Sequence, residues 1–83
     1  MFYGDQLDNF GEEVKERVLA ELMRRGESAD DFYSIGHDTK RIGQPVRVVI
    51  KPRGGEKREY LFLREERMML GDRVQEALAQ AYL

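Results

Sequence analysis

Apolar positions recur with two different periods along this chain, and the periods divide it into elements. Phe10, Val14, Val18 and Leu22 return every four residues, flanked by Leu19 and Met23, which predicts an amphipathic helix over 10–25. Asn9 and Glu12 have capping-box spacing, and acids crowd the first turns. Arg24 and Arg25 suit the negative end of the helix dipole, and Gly26 supplies a left-handed stop. A second stripe, Leu70, Val74, Leu78 and Ala81 with Ala77 and Tyr82 beside it, predicts a last helix from about residue 72 to the end. Asp72 and Gln75 again have capping-box spacing. Residues 28–35 read as a second, short helix capped by Ser28 and closed by Gly36. Residues 64–69 (REERMM) link strand to helix and suit a helical turn, with Met68 and Met69 expected as adaptable core filler.

Between the helical patterns the period falls to two. The stretch PVRVVIKPRGGEKREYLFLR predicts strands over 46–51 and 58–64, with Pro45 at a tolerated strand start. A two-residue Gly54-Gly55 turn would need positive φ at both glycines. It pairs Val46 with Leu63, Val48 with Leu61 and Ile50 with Glu59 on an apolar face. The opposite face then pairs Arg47 with Phe62, Val49 with Tyr60 and Lys51 with Arg58. A slip of one residue would exchange the faces of one strand. The expected fold is one small α+β domain over 1–83: helix, short helix, antiparallel β-hairpin, helix, with the helices packed on the hairpin.

Composition narrows the function classes. At 83 residues the chain holds one modest core. Its 41% apolar content, set against 36% charge, is that of a folded chain. With no cysteine and one histidine, thiol catalysis and most zinc sites are excluded, and a reducing compartment is compatible. No apolar run approaches the roughly 20 residues of a membrane span. The start, MFYGDQLDNF, lacks the basic-then-apolar pattern of a secretory leader, so a cytoplasmic protein is expected.

The search for chemistry finds little. PRGGEK is not a phosphate loop, since no lysine followed by Ser or Thr opens a helix, and turn geometry explains its glycines better. His37 beside Asp38 lacks a positioned nucleophile and reads as polar loop. The carboxylate pairs Glu12-Glu13, Asp30-Asp31 and Glu65-Glu66 splay by about 100° if helical, and solvated faces account for them. No enzyme, metal or cofactor is expected.

Charge is more informative. Residues 1–38 carry net −6 and residues 39–83 net +4, within a total of −2. Under the expected register the outer hairpin face gathers Arg47, Val49, Lys51, Arg58, Tyr60 and Phe62, with Arg53 and Lys57 at the tip. Lys51 opposite Arg58 is an unfavourable pair that invites a counter-charge. The plain reading is internal: N-terminal acids, the first helix, Phe2, Tyr3 or Tyr82 cover this face. The functional reading is a docking surface for another protein, because Tyr, Phe and Arg are enriched at interface hot spots. A homodimer is one form of it. Nucleic acid bound to the same hairpin is the alternative, with bases stacked on Tyr60 and Phe62. The net acidity weighs against that alternative. A further protein-binding reading uses the acidic first helix: Asp5, Asp8, Glu12, Glu13, Glu16 and Glu21 resemble a track of phosphates. The expectation is a small non-catalytic binding or regulatory protein, such as an inhibitor or accessory factor.

Overall fold

The computed structural model describes residues 10–36 and 45–83. Helix α1 spans Phe10–Arg24, a single 3-10 turn spans Ala29–Asp31, and strand β1 spans Phe32–Gly36. Strands β2 (Val46–Ile50) and β3 (Arg58–Phe62) follow. A 3-10 segment over Arg64–Met69 leads into helix α2 (Leu70–Ala81). The Asn9 cap, Asp5, Asp8, Phe2, Tyr3, His37 and Asp38 lie outside the described residues.

Helix α1 buries the stripe its spacing predicts: Phe10, Val14, Val18 and Leu22. It ends on Gly26, at φ +79°. The Gly26 N–H donates to the Met23 carbonyl at 3.0 Å and the Glu27 N–H to the Leu22 carbonyl at 2.8 Å, the paired bonds of a Schellman stop. Helix α2 buries Leu70, Val74, Ala77, Leu78 and Ala81. It starts two residues before the expected Asp72. The preceding 3-10 segment runs straight into it, so no free helix start exists for an Asp72–Gln75 box to cap. Met68 and Met69 are exposed rather than core filler.

The second helix is reduced to one turn. Ser28 does cap it, its hydroxyl accepting from the Asp30 N–H at 3.0 Å. From Phe32 onward the chain is a strand. Phe32, Tyr33 and Ile35 are aromatic or β-branched, and β2 offers them a ladder that a short isolated helix could not match.

The sheet is antiparallel, in the order β1-β2-β3. Both helices pack on the face that carries Val46, Val48 and Ile50. The register between β2 and β3 differs from expectation by one residue. Val46 faces Phe62, Arg47 faces Leu61, Val48 faces Tyr60, Val49 faces Glu59 and Ile50 faces Arg58. The pairing is centred on Gly54, not between Gly54 and Gly55, and only Gly54 has positive φ, at +75°. A turn closed by the Gly55 N–H to the Pro52 carbonyl at 2.9 Å sits within the longer loop 51–57.

The physical reason for this phase is what each alternative buries. The observed register turns Phe62 and Tyr60 toward the helices and turns Leu61 and Glu59 away. Aromatic rings contribute more buried apolar area than leucines. The other phase would turn Leu61 and Leu63 toward the helices and leave the Phe62 and Tyr60 rings on the outer face.

Candidate functional site

The register redefines the outer face of the hairpin. Phe62 is 4% exposed and belongs to the core, and Tyr60 packs against that core. Neither shares the outer face with Arg47, Val49 and Lys51. Arg58 lies on the helix side, opposite Ile50, exposed at the end of the sheet. The expected pairs Arg47–Phe62, Val49–Tyr60 and Lys51–Arg58 are therefore absent.

In their place stands a different surface. The alternation that buries Val46, Val48 and Ile50 sends Arg47 and Val49 outward. On β3 it sends Glu59 and Leu61 outward, and Leu61 is 60% exposed. Leu63 continues the extended backbone just beyond the strand and is exposed too. On β1, Ser34 opposes Val49 and Gly36 opposes Arg47. Among the described residues, no helix packs on this side of the sheet.

Arg47 lies across the middle of the face. Its Nε is 3.3 Å from the Glu59 carboxylate on β3. A terminal nitrogen of the same guanidinium reaches over Gly36 on β1, within 3.4 Å of where a side chain would begin. The glycine leaves room for the arginine to lie flat. Both charged groups are exposed, so the pair fixes a geometry more than it adds stability.

The end of the face near the hairpin tip is cationic and aromatic. Tyr33 occupies the break in the β1–β2 register between Phe32 and Ser34 and is 52% exposed. The Lys57 ammonium sits 4.0 Å from the centre of its ring. A hydrogen bond from Lys57, together with the charges of Lys57 and Lys51, holds the Tyr33 phenol below its ordinary range. Sequence reasoning missed Tyr33, Leu61 and Leu63. The strand-forming character of Phe32, Tyr33 and Ile35 was the available signal for the first.

The acidic row of α1 is divided by internal pairs. Glu13 is bound by Arg67, through a hydrogen bond of 2.8 Å and a second nitrogen. Glu21 is nearly buried beneath Arg24. Glu12 and Glu16 remain exposed on a helix that also presents Lys15 and Arg17. Among the described residues of the row, the acids do not form a continuous anionic track. Among the described residues no three His, Cys, Asp or Glu side chains gather to hold a metal, and no helix is long and apolar enough to cross a membrane.

Comparison with protein-family models, with curated proteins and with solved structures finds no match to this chain.

Proposed function

We propose that this protein is a non-catalytic docking domain that binds an acidic protein partner on the face of its sheet opposite the two helices. The observation that supports the reading is one-sided coverage. Both helices lie on one face, and the other presents exposed Leu61 beside Arg47, Lys51 and Lys57, with Glu59 as its only strand carboxylate. Apolar side chains beside a cationic end suit a protein interface: the leucines and Val49 exclude water, and Lys51 and Lys57 steer and orient the partner. A second copy of the chain would bring like charges together on this face. Nucleic acid is the weaker alternative. The aromatic pair expected to stack bases is turned inward, and among the described residues the exposed ring, Tyr33, carries the Lys57 ammonium on its face.

The test is capture from native cell extract by immobilised wild-type protein and by two surface variants, Leu61→Asp and the double Lys51→Glu/Lys57→Glu, with and without nuclease. The proposal expects a nuclease-resistant partner that both variants lose. Loss on nuclease treatment, with binding that weakens log-linearly with salt, would assign the face to nucleic acid instead. A partner retained equally by both variants would remove the face from consideration.

A further inference from the structure

Strand β3 lies at one edge of the sheet, and among the described residues no strand pairs with its outer side. It runs one-to-one with β2 from Arg58 to Phe62, with no break and with neither proline nor lysine inside it. Leu63, at φ −93° and ψ 137°, extends the same backbone by one residue. The opposite edge is irregular, since the register of β1 breaks between Phe32 and Ser34. A regular, largely apolar edge is a template for a further strand, and a bulged edge is a poor one.

The groove beside this edge is electrically balanced. It has a volume of about 160 Å³, and Tyr60, Leu61 and Phe62 of β3 line it together with Arg73 and Glu76 of α2. Arg73 is paired there with Glu76 and with Glu66. On the strand itself, Glu59 is held by Arg47. A two-fold contact sets one surface against an identical one, so a patch without excess charge is the kind that a second copy tolerates.

We infer that β3 pairs antiparallel with β3 of a second copy, about a two-fold axis at Leu61, joining two three-stranded sheets into one. This goes beyond the docking reading and does not depend on it. In that register Leu61 meets Leu61 on the outer face, Tyr60 meets Phe62 on the helix side, and Glu59, kept by Arg47, lies opposite Leu63. Leu61, 60% exposed in the single chain, gains an apolar neighbour at the centre of the contact. Pairing about Tyr60 would instead set Glu59 against Leu61 and Arg58 against Phe62. About Leu61, Arg58 falls beyond the ladder, because the second copy leaves the sheet for its 3-10 segment at Arg64. The antiparallel sense also separates the cationic tips. The Lys57 residues of the two copies end roughly 25 Å apart along the strands, at about 3.3 Å per residue. That exceeds the roughly 8 Å screening length of physiological salt, so the tips add little repulsion.

The test uses the purified full chain, whose lack of cysteine lets one introduced thiol report position. Sedimentation over a roughly hundredfold concentration range is expected to move the mass from one chain to two. At a concentration where about nine-tenths of the chains are paired, β3 amides that point away from β2 are expected to exchange hydrogen about tenfold more slowly than in dilute solution. Leu61→Lys brings two ammonium groups together at the centre and is expected to weaken association about tenfold. A short thiol cross-linker is expected to join Leu61→Cys chains to each other, and Glu59→Cys chains to Leu63→Cys chains. The mass of one chain at every concentration would overturn the inference. So would a dimer whose β3 amides stay unprotected, or association that Leu61→Lys leaves unchanged. Cross-linking through Val49→Cys in place of Leu61→Cys would put the contact on the sheet face and overturn it too. None of these readings involves a captured partner, so the docking proposal is judged separately.

Discussion

The Tyr82 hydroxyl donates to the Asp31 carboxylate across 2.6 Å, joining the end of α2 to the turn that launches β1. Asp31 is buried, and its carbonyl also accepts from the Lys51 N–H at 2.8 Å. One residue thus connects the last helix to two neighbouring strands. The Arg25 guanidinium lies 5.9 Å from the centre of the Tyr82 ring, so the end of α1 joins the same cluster. Tyr82→Phe keeps the ring and removes the donor to a buried carboxylate. It is expected to lose about 1.5–3 kcal/mol, read from the urea midpoint at constant m.

The same pair sets an alkaline limit. Burial, and then the hydrogen bond and charge of Asp31, push the Tyr82 phenol well above its ordinary value. As pH rises past about 10, the unfolded phenol ionises while the folded one holds its proton. The contribution is therefore complete below that pH and is lost as pH climbs through the interval above it. Urea unfolding of wild type above about pH 10 should show a falling stability that Tyr82→Phe shows less steeply.

Glu21 sets a limit at the other end. Arg24 donates its Nε to the Glu21 carboxylate at 2.9 Å, and a second nitrogen engages the other oxygen. Those hydrogen bonds, aided by the charges of Arg24 and Arg25, hold the carboxyl below its ordinary range against the opposing effect of burial. With a depressed folded value, the stability it contributes is present above about pH 4.3 and is lost as pH falls through the folded value. Glu21→Gln should be less stable at neutral pH and show a shallower acid decline, measured by urea midpoints at about pH 7 and about pH 3.

The two glycines of the hairpin should respond differently. Gly54 sits at φ +75°, so Gly54→Ala forces a side chain into the left-handed region at roughly 1–2 kcal/mol. Gly55 lacks that constraint, and a methyl there would meet the Pro52 ring at 3.4 Å, an ordinary contact. Gly55→Ala should leave the melting temperature nearly unchanged, whereas Gly54→Ala should lower it by several degrees, at about 4–8 °C per kcal/mol. Equal effects would argue for the symmetric two-glycine turn.

The phase of β3 is testable by stability alone. Phe62→Ala opens a hole in the core and should cost about 3–5 kcal/mol, a large share of a small domain's total. Leu61→Lys changes an exposed position and should stay within about 0.5 kcal/mol of wild type. Thermal or urea unfolding of the two variants reads the register directly, because the alternative phase reverses their order.

The hairpin shows where local pattern stopped being sufficient. In YLFL, both alternations are apolar: Tyr60 with Phe62, or Leu61 with Leu63. Either could face a core, and a glycine pair permits more than one turn. What separates them is size: the Tyr60 and Phe62 rings bury more apolar area beneath the helices than the leucines would. Because of this one-residue difference, Arg47, Val49 and Lys51 keep the outward positions expected of them, while Phe62 joins the core and Tyr60 packs against it. Strand β1 was hidden for another reason. Ser28 and the acids after it form a true cap, but the turn they start lasts three residues before pairing with β2 takes over.

The sequence by itself determined the two helical stripes, the Gly26 stop, the buried side of β2 and the α+β class. Each depends on side chains within a turn or two of one another, where period and steric preference act directly. Only the tertiary structure decided the phase of β3, the existence of β1 and the face, opposite the helices, that Arg47 and Leu61 now share. Those depend on which side chains compete for the same space beneath the helices. That competition, between rings and leucines, is a property of the packed core and not of any single segment.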